Sequence, residues 1–206
     1  MQPYTSKLVC SNIGNFKYVW TWDKAAVTGF LNAKKQPLRV TEDICVFYRR
    51  QCTYNPQMVP GKHRRGGGPS NSPNYRFYQD IPPRIADSYY PRNLLRFSKG
   101  AKNGGDGGGI HPTWKPVGLL RYLIRTYTNE GETVLDPFAG CGNAMVAALS
   151  ENRSVIGFET ETEYYLQAKR RLDEALAEGG SAAETAELAS HAPELPVLDG
   201  GVCGKG

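Results

Sequence analysis

The chain has 206 residues, 40% hydrophobic and 22% charged, which is enough for one ordinary domain with a buried core and too apolar for wholesale disorder. No run approaches the roughly 18 unbroken apolar residues of a membrane-spanning helix. The net charge of +5 conceals an asymmetry: residues 1–100 carry 16 Lys/Arg against 5 Asp/Glu, and residues 101–206 carry 9 against 15. A chain basic in one half usually turns that half toward a polyanion, unless it is simply a solvated face. The five cysteines (Cys10, Cys45, Cys52, Cys141, Cys203) are odd in number and follow no CxxC spacing, so they read as reduced thiols.

In chain order, Phe16–Trp22 and Ile44–Tyr48 are β-branched and aromatic, as strands are. Residues 65–71 and 100–109 are Gly-rich loops, and between them residues 72–99 mix prolines with six aromatics, which predicts irregular structure. Pro116 opens a helix whose Val117, Leu120, Leu123, Ile124 and Tyr127 fall at helical spacing. Thr133–Leu135 is a short strand ending in Asp136, Gly140–Asn143 a tight turn, and Ala144–Leu149 the start of a helix. Ser154–Phe158 is the next strand, ending in Glu159, and Tyr165, Ala168, Leu172 and Leu176 line one face of a last helix. Strand, helix, strand, helix predicts a parallel sheet with right-handed crossovers. Residues 179–206, rich in Ala, Glu, Gly and Pro, read as a flexible tail.

The chemistry concentrates in Asp136-Pro-Phe-Ala-Gly-Cys-Gly-Asn143, between a strand and a helix. Gly140 and Gly142 let the backbone pass close to a ligand and turn amides toward it. Glu159, 23 positions after Asp136, ends the next strand, where a carboxylate can accept bonds from ribose hydroxyls. A nicotinamide-type turn fits poorly, because the third glycine of GxGxxG would fall at Met145. An anionic Asp136 would also repel a pyrophosphate, whereas it suits an ammonium group. A nucleoside carrying an amino acid is therefore the expected ligand, namely S-adenosyl-L-methionine (AdoMet). The competing reading is a glycine turn that serves only helix–strand packing.

Val134-Leu-Asp-Pro-Phe-Ala-Gly-Cys-Gly-Asn143 resembles the AdoMet motif of amino-methylating DNA methyltransferases, usually written with Thr or Ser where Asn143 stands. His111-Pro-Thr-Trp-Lys-Pro116 followed by Leu119–Ile124 is similar to that family's HPTxKP motif and helix, and this order resembles the β-group arrangement. Thr28-Gly-Phe-Leu-Asn-Ala-Lys-Lys-Gln-Pro-Leu-Arg39, Glu42 and the Ile44–Tyr48 strand resemble the stretch that follows the family's catalytic motif. The resemblance implies an α/β fold, a Rossmann-like AdoMet-dependent methyltransferase sheet (here incomplete) with an irregular target-recognition insert. It further implies methyl transfer from AdoMet to the exocyclic amine of adenine (N6) or cytosine (N4) in duplex DNA, the base being flipped out of the stack. Adenine is favoured on the family-wide balance.

Carried over by position, Asp136, Pro137, Phe138, Ala139, Gly140, Gly142 and Asn143 hold the methionine end of the cofactor and Glu159 the ribose. His111, Thr113 and Lys115 close over the methionine carboxylate, with capping of the next helix as the alternative for His111 and Lys115. DNA contact is assigned to Arg49, Arg50, Lys62, Arg64, Arg65 and Arg76, phosphate contact being favoured over base readout. The implied domains are residues 1–49 (second half of the catalytic sheet), 50–108 (target-recognition insert and Gly-rich linker), 109–178 (AdoMet-binding half) and 179–206 (tail).

The family's (D/N/S)PP(Y/F/W) catalytic loop has no counterpart in the sequence, since Asp80-Ile-Pro-Pro-Arg84 offers neither acceptor nor stacking ring. In the β-group order that loop precedes the segment resembled by residues 3–48, so it is expected upstream of Met1, and no catalytic residue is assigned within the chain. The expectation is an N-terminally truncated methyltransferase, inactive by itself and poorly soluble, from a bacterial or phage (prophage-type) gene and cytoplasmic. Two competing functions are a non-catalytic DNA/AdoMet-binding remnant and a methyltransferase acting on RNA or a small molecule. The second predicts neither the HPTxKP segment nor the basic insert. No metal is implied, because His63, His111 and His191 lack ligand spacing.

Overall fold

The computed structural model describes residues 2–61, 87–98, 113–179 and 186–189. Two units divide the chain: residues 1–100 with 121–129, and residues 101–120 with 130–206.

In the first unit, α1 (Tyr4–Ser11) leads into a hairpin of β1 (Phe16–Thr28) and β2 (Arg39–Phe47). The hairpin is antiparallel, with Trp20 opposite Ile44 and Trp22 opposite Glu42. A pair of two-residue strands, β3 (Val59–Pro60) and β4 (Ser88–Tyr89), stands apart. Strand β5 (Leu94–Arg96) then runs parallel to the other edge of β1, giving the order β2-β1-β5. Residues 62–86 and 99–108 of the segment expected as an irregular insert lie outside the described residues. Leu95 is buried beside Trp22, and the Trp22 indole N–H donates to Phe97 O at 2.8 Å, so long-range pairing overrides a Pro-rich local sequence.

Helix α2 (Val117–Tyr127) contributes residues 121–127 to this unit. Residues 121–129, inside the segment expected as the AdoMet-binding half, group with the first hundred. The reason is aromatic packing: the Trp20 ring sits edge-on to Tyr122 at 5.9 Å, and its indole N–H donates to the Tyr127 hydroxyl. Tyr127 in turn bonds Tyr18 at 2.9 Å, and burial together with that bond holds its phenol well above the usual tyrosine range. Asn55 closes the carboxyl end of α2, its amide group donating to Arg125 O and Thr128 O while its backbone N–H donates to Thr126 O at 2.7 Å.

The second unit is built on a parallel sheet, β6 (Thr133–Asp136), β7 (Ser154–Phe158) and β8 (Ala186–Ala189), in the order β6-β7-β8. Helices α3 (Asn143–Leu149) and α4 (Thr162–Gly179) are the crossovers, as the alternating pattern predicts. Within the segment expected as a tail, Gly179 ends α4 and Ala186–Ala189 pairs with Val155–Phe158, while residues 180–185 and 190–206 lie outside the described residues. The core comprises Met145, Ala147, Ala148, Val155, Ala168 and Leu172, all buried, and it sits directly behind the turn between β6 and α3. The outer face of α4 carries the i,i+4 pairs Lys169–Asp173 and Arg170–Glu174, exposed and worth roughly 0.3–0.5 kcal/mol each. Cys10, Cys45, Cys52 and Cys141 are free thiols.

Candidate functional site

Strand β6 ends at Asp136 because Pro137 has no N–H to continue the ladder. The chain then makes a turn with two left-handed glycines, Gly140 (φ +53°) and Gly142 (φ +79°), before α3 begins at Asn143. Gly142 is required twice over. Its backbone lies in the region L side chains avoid, and a Cβ there would stand 3.0 Å from the Ala168 Cβ of α4.

A cleft of about 290 Å³ opens in front of this turn, near the lower end of the small-molecule range (roughly 300–1,000 Å³). Its walls include Thr113, Lys115, Asp136, Phe138, Gly140 and Asn143. Seven residues assigned from sequence therefore meet in one place, since Ala139 also lines it. Asp136 accepts the Phe138 backbone N–H at 3.1 Å. Burial raises its carboxyl pKa above the usual range, outweighing that bond, and the neighbouring Glu159 adds to the rise. The Phe138 ring is 87% exposed, an apolar surface at the cleft. The Lys115 ammonium donates to Thr113 O at 3.1 Å.

Glu159 has a different immediate partner from the one expected. Its Oε2 accepts the Gly140 N–H at 2.7 Å and its Oε1 the Glu161 N–H at 2.9 Å. The Gly142 N–H donates to Ala139 O at 2.8 Å. The Gly140 amide is thus met by the carboxylate at the end of β7 and the Gly142 amide by a carbonyl of the turn itself. A carboxylate has about four lone-pair sites, so Glu159 retains acceptor capacity after bracing Gly140.

Asn143 is also a brace. Its side-chain amide donates to Lys115 O at 2.6 Å, and its oxygen accepts from the Arg171 guanidinium. Arg171 donates a second bond to Cys141 O at 2.6 Å. Arg171 is the residue that sequence reading missed, because in Lys169-Arg-Arg171 it looks like one more solvated helical charge. Pro137 is exposed, and Gly142 is buried behind the cleft against α4. In the first unit, Arg49 and Arg50 are exposed just beyond β2. His111, Lys62, Arg64, Arg65 and Arg76 lie outside the described residues.

The DNA methylase family, which covers the N6 and N4 enzymes, matches residues 3–170. The chain belongs to that family. The DNA adenine methyltransferase YhdJ of Escherichia coli strain K12 is 29% identical over 165 residues, 76% of this chain and 51% of YhdJ. The type II methyltransferase M2.MboI of Moraxella bovis is 42% identical over 66 residues, 32% of this chain and 24% of that protein. The chain spans about half the length of YhdJ. Among solved structures, the M1.HpyAVI–SAM complex superposes with a TM-score of 0.54 at 25% identity, covering 82% of this chain and 68% of the other. PvuII DNA methyltransferase (cytosine-N4-specific) does so at 0.55 and 18% identity, covering 91% and 68%, a likeness of fold. The DNA methylase fold of this chain is therefore an α/β sheet of the methyltransferase kind.

Proposed function

We propose that this DNA methylase chain binds AdoMet in the cleft before Asp136 and serves the methylation of adenine N6 in duplex DNA. The observation that carries the reading is a pair of opposite charges lining one cleft, the carboxylate of Asp136 and the ammonium of Lys115. Together they match the zwitterion of an amino acid, which no nicotinamide cofactor carries. AdoMet supplies an electrophilic methyl group on a sulfonium.

Within this reading, Asp136 accepts from the methionine ammonium, and the bound cation restores the ionised form that burial disfavours. Lys115, held at Thr113 O, faces the methionine carboxylate, a group to which His111 and Thr113 are also assigned. Glu159 uses its remaining lone pairs for the ribose hydroxyls while bracing Gly140. Phe138 covers the apolar edge of the cofactor. Arg49, Arg50, Lys62, Arg64, Arg65 and Arg76 neutralise phosphates. The preference for adenine rests on the name and similarity of YhdJ; cytosine N4 is the second reading.

The test is transfer of labelled methyl from AdoMet to unmethylated DNA, followed by nuclease digestion and chromatography of the nucleosides. Label in N6-methyladenine supports the proposal, and label in N4-methylcytosine replaces it with the second reading. Binding of AdoMet and DNA with no incorporation reduces the chain to a binding module.

A further inference from the structure

Away from the cleft, the tip of the β1–β2 hairpin displays apolar side chains that the reading above does not use. Leu31 is fully exposed (102%), Phe30 is 65% exposed and Val27 44%. Loop tips are ordinarily polar, and grouped exposed apolar side chains mark contact surfaces. The tip is a built turn: Gly29 takes a left-handed φ of +96° and Phe30–Asn32 form a single 3₁₀ turn. The Asn32 N–H donates to Gly29 O at 3.0 Å, Ala33 N–H to Phe30 O at 3.1 Å and Lys35 N–H to Asn32 O at 2.9 Å. Phe30 and Leu31 are thus held outward on an ordered scaffold, which lowers the entropy cost of inserting them into a partner.

Lys34 and Lys35 follow immediately and are exposed. The Arg39 guanidinium packs beside Gly29, its Nε 3.6 Å from where a Cβ would stand. The whole tip belongs to the half of the chain that carries 16 Lys/Arg against 5 Asp/Glu. An apolar point rimmed by cations fits a base stack lined by phosphates.

We infer that Phe30 and Leu31 form a wedge that enters an unstacked step of duplex DNA, with Lys34 and Lys35 on the adjoining phosphates. The inference rests on the proposed function, because an enzyme acting on an exocyclic amine must take the base out of the stack. Apolar wedges offset part of the unstacking cost by occupying the opened step. A wedge of this kind prefers DNA that is already easy to unstack.

The test compares the 206-residue chain with F30S/L31S and with K34Q/K35Q. Each is titrated against a fully paired duplex and against the same duplex with a central single-base mismatch beside 2-aminopurine. Wild type is expected to bind the mismatched duplex about ten-fold more tightly and to brighten the 2-aminopurine. F30S/L31S should bind both duplexes equally, without brightening and with an unchanged salt dependence. K34Q/K35Q should keep the mismatch preference while its log–log salt slope falls by about 2. These side chains are exposed, so thermal transitions should match wild type.

The wedge is overturned if F30S/L31S retains the preference and the brightening. It is equally overturned if that variant converts a wild-type dimer to monomer, which assigns the tip to self-association. Steep salt-dependent binding that ignores Phe30 and Leu31 sinks the wedge and leaves the proposed function standing. A folded wild-type chain that binds neither duplex removes both.

Discussion

Gly142→Ala tests whether the turn before the cleft is held by α4. The substitution places a Cβ at φ +79°, which costs about 1–2 kcal/mol in the left-handed region. The same Cβ would lie 3.0 Å from the Ala168 Cβ and 3.2 Å from its Cα, both on the packed face of a helix with no flexible end to move. Overpacking of that kind adds about 1–3 kcal/mol, for an expected loss of roughly 2–5 kcal/mol. Gly131 supplies the control, since its φ is +80° and a Cβ there meets nothing within 4 Å. Gly131→Ala should therefore show the backbone cost by itself, about 1–2 kcal/mol. Urea denaturation followed by far-UV circular dichroism measures both variants against wild type. If the two lose the same stability, the turn is not packed on Ala168 and the packing account of the cleft is wrong.

Four further outcomes follow from the geometry. Asp136→Asn keeps an oxygen for the Phe138 N–H but removes a buried charge. Because burial raises the folded-state pKa, the charge opposes folding above that pKa and the cost vanishes below the ordinary carboxylate value. The variant should be at least as stable as wild type at pH 7 by thermal melting, and a clear loss would contradict the assignment. By the same sign, AdoMet affinity of wild type should weaken on acidification at a pH above the ordinary carboxylate range, and calorimetry across pH should find no such weakening in Asp136→Asn. Arg171→Met removes the donor to Cys141 O and Asn143, and should cost about 1–3 kcal/mol in urea while weakening AdoMet binding. Tyr127→Phe leaves the buried Trp20 indole N–H without its acceptor, also about 1–3 kcal/mol, with AdoMet affinity unchanged.

The parallel half was legible because each element carries a local signal. Ser154–Phe158 is a β-branched run bounded by polar residues, α2 follows Pro116 at helical spacing, and the glycines of the turn announce its conformation. What local signals do not carry is partnership. Helix α1 is anchored by a bond from Thr5 Oγ1 to Asp43 Oδ2, 38 positions away, and β5 exists because β1 offers it an edge. Strand β8 similarly depends on β7. At the site, residue types and spacing singled out Asp136 and the glycine turn, whereas Lys115 and the role of Asn143 came from the motif resemblance; all three residues line one cleft. Neither signal disclosed that Asn143 and Glu159 spend hydrogen bonds on bracing the turn, nor that Arg171 completes the brace from α4. A charge on a helix reads the same in sequence whether it meets water or a carbonyl.

Equilibrium dialysis of labelled AdoMet against the folded chain and its Asp136→Asn variant tests the central claim most directly. The account predicts saturable binding by wild type and an affinity about ten-fold or more lower in the variant, the loss of a charge-assisted bond of about 1.5–3 kcal/mol. Equal affinities, or no binding by a wild-type chain that melts cooperatively, would contradict it.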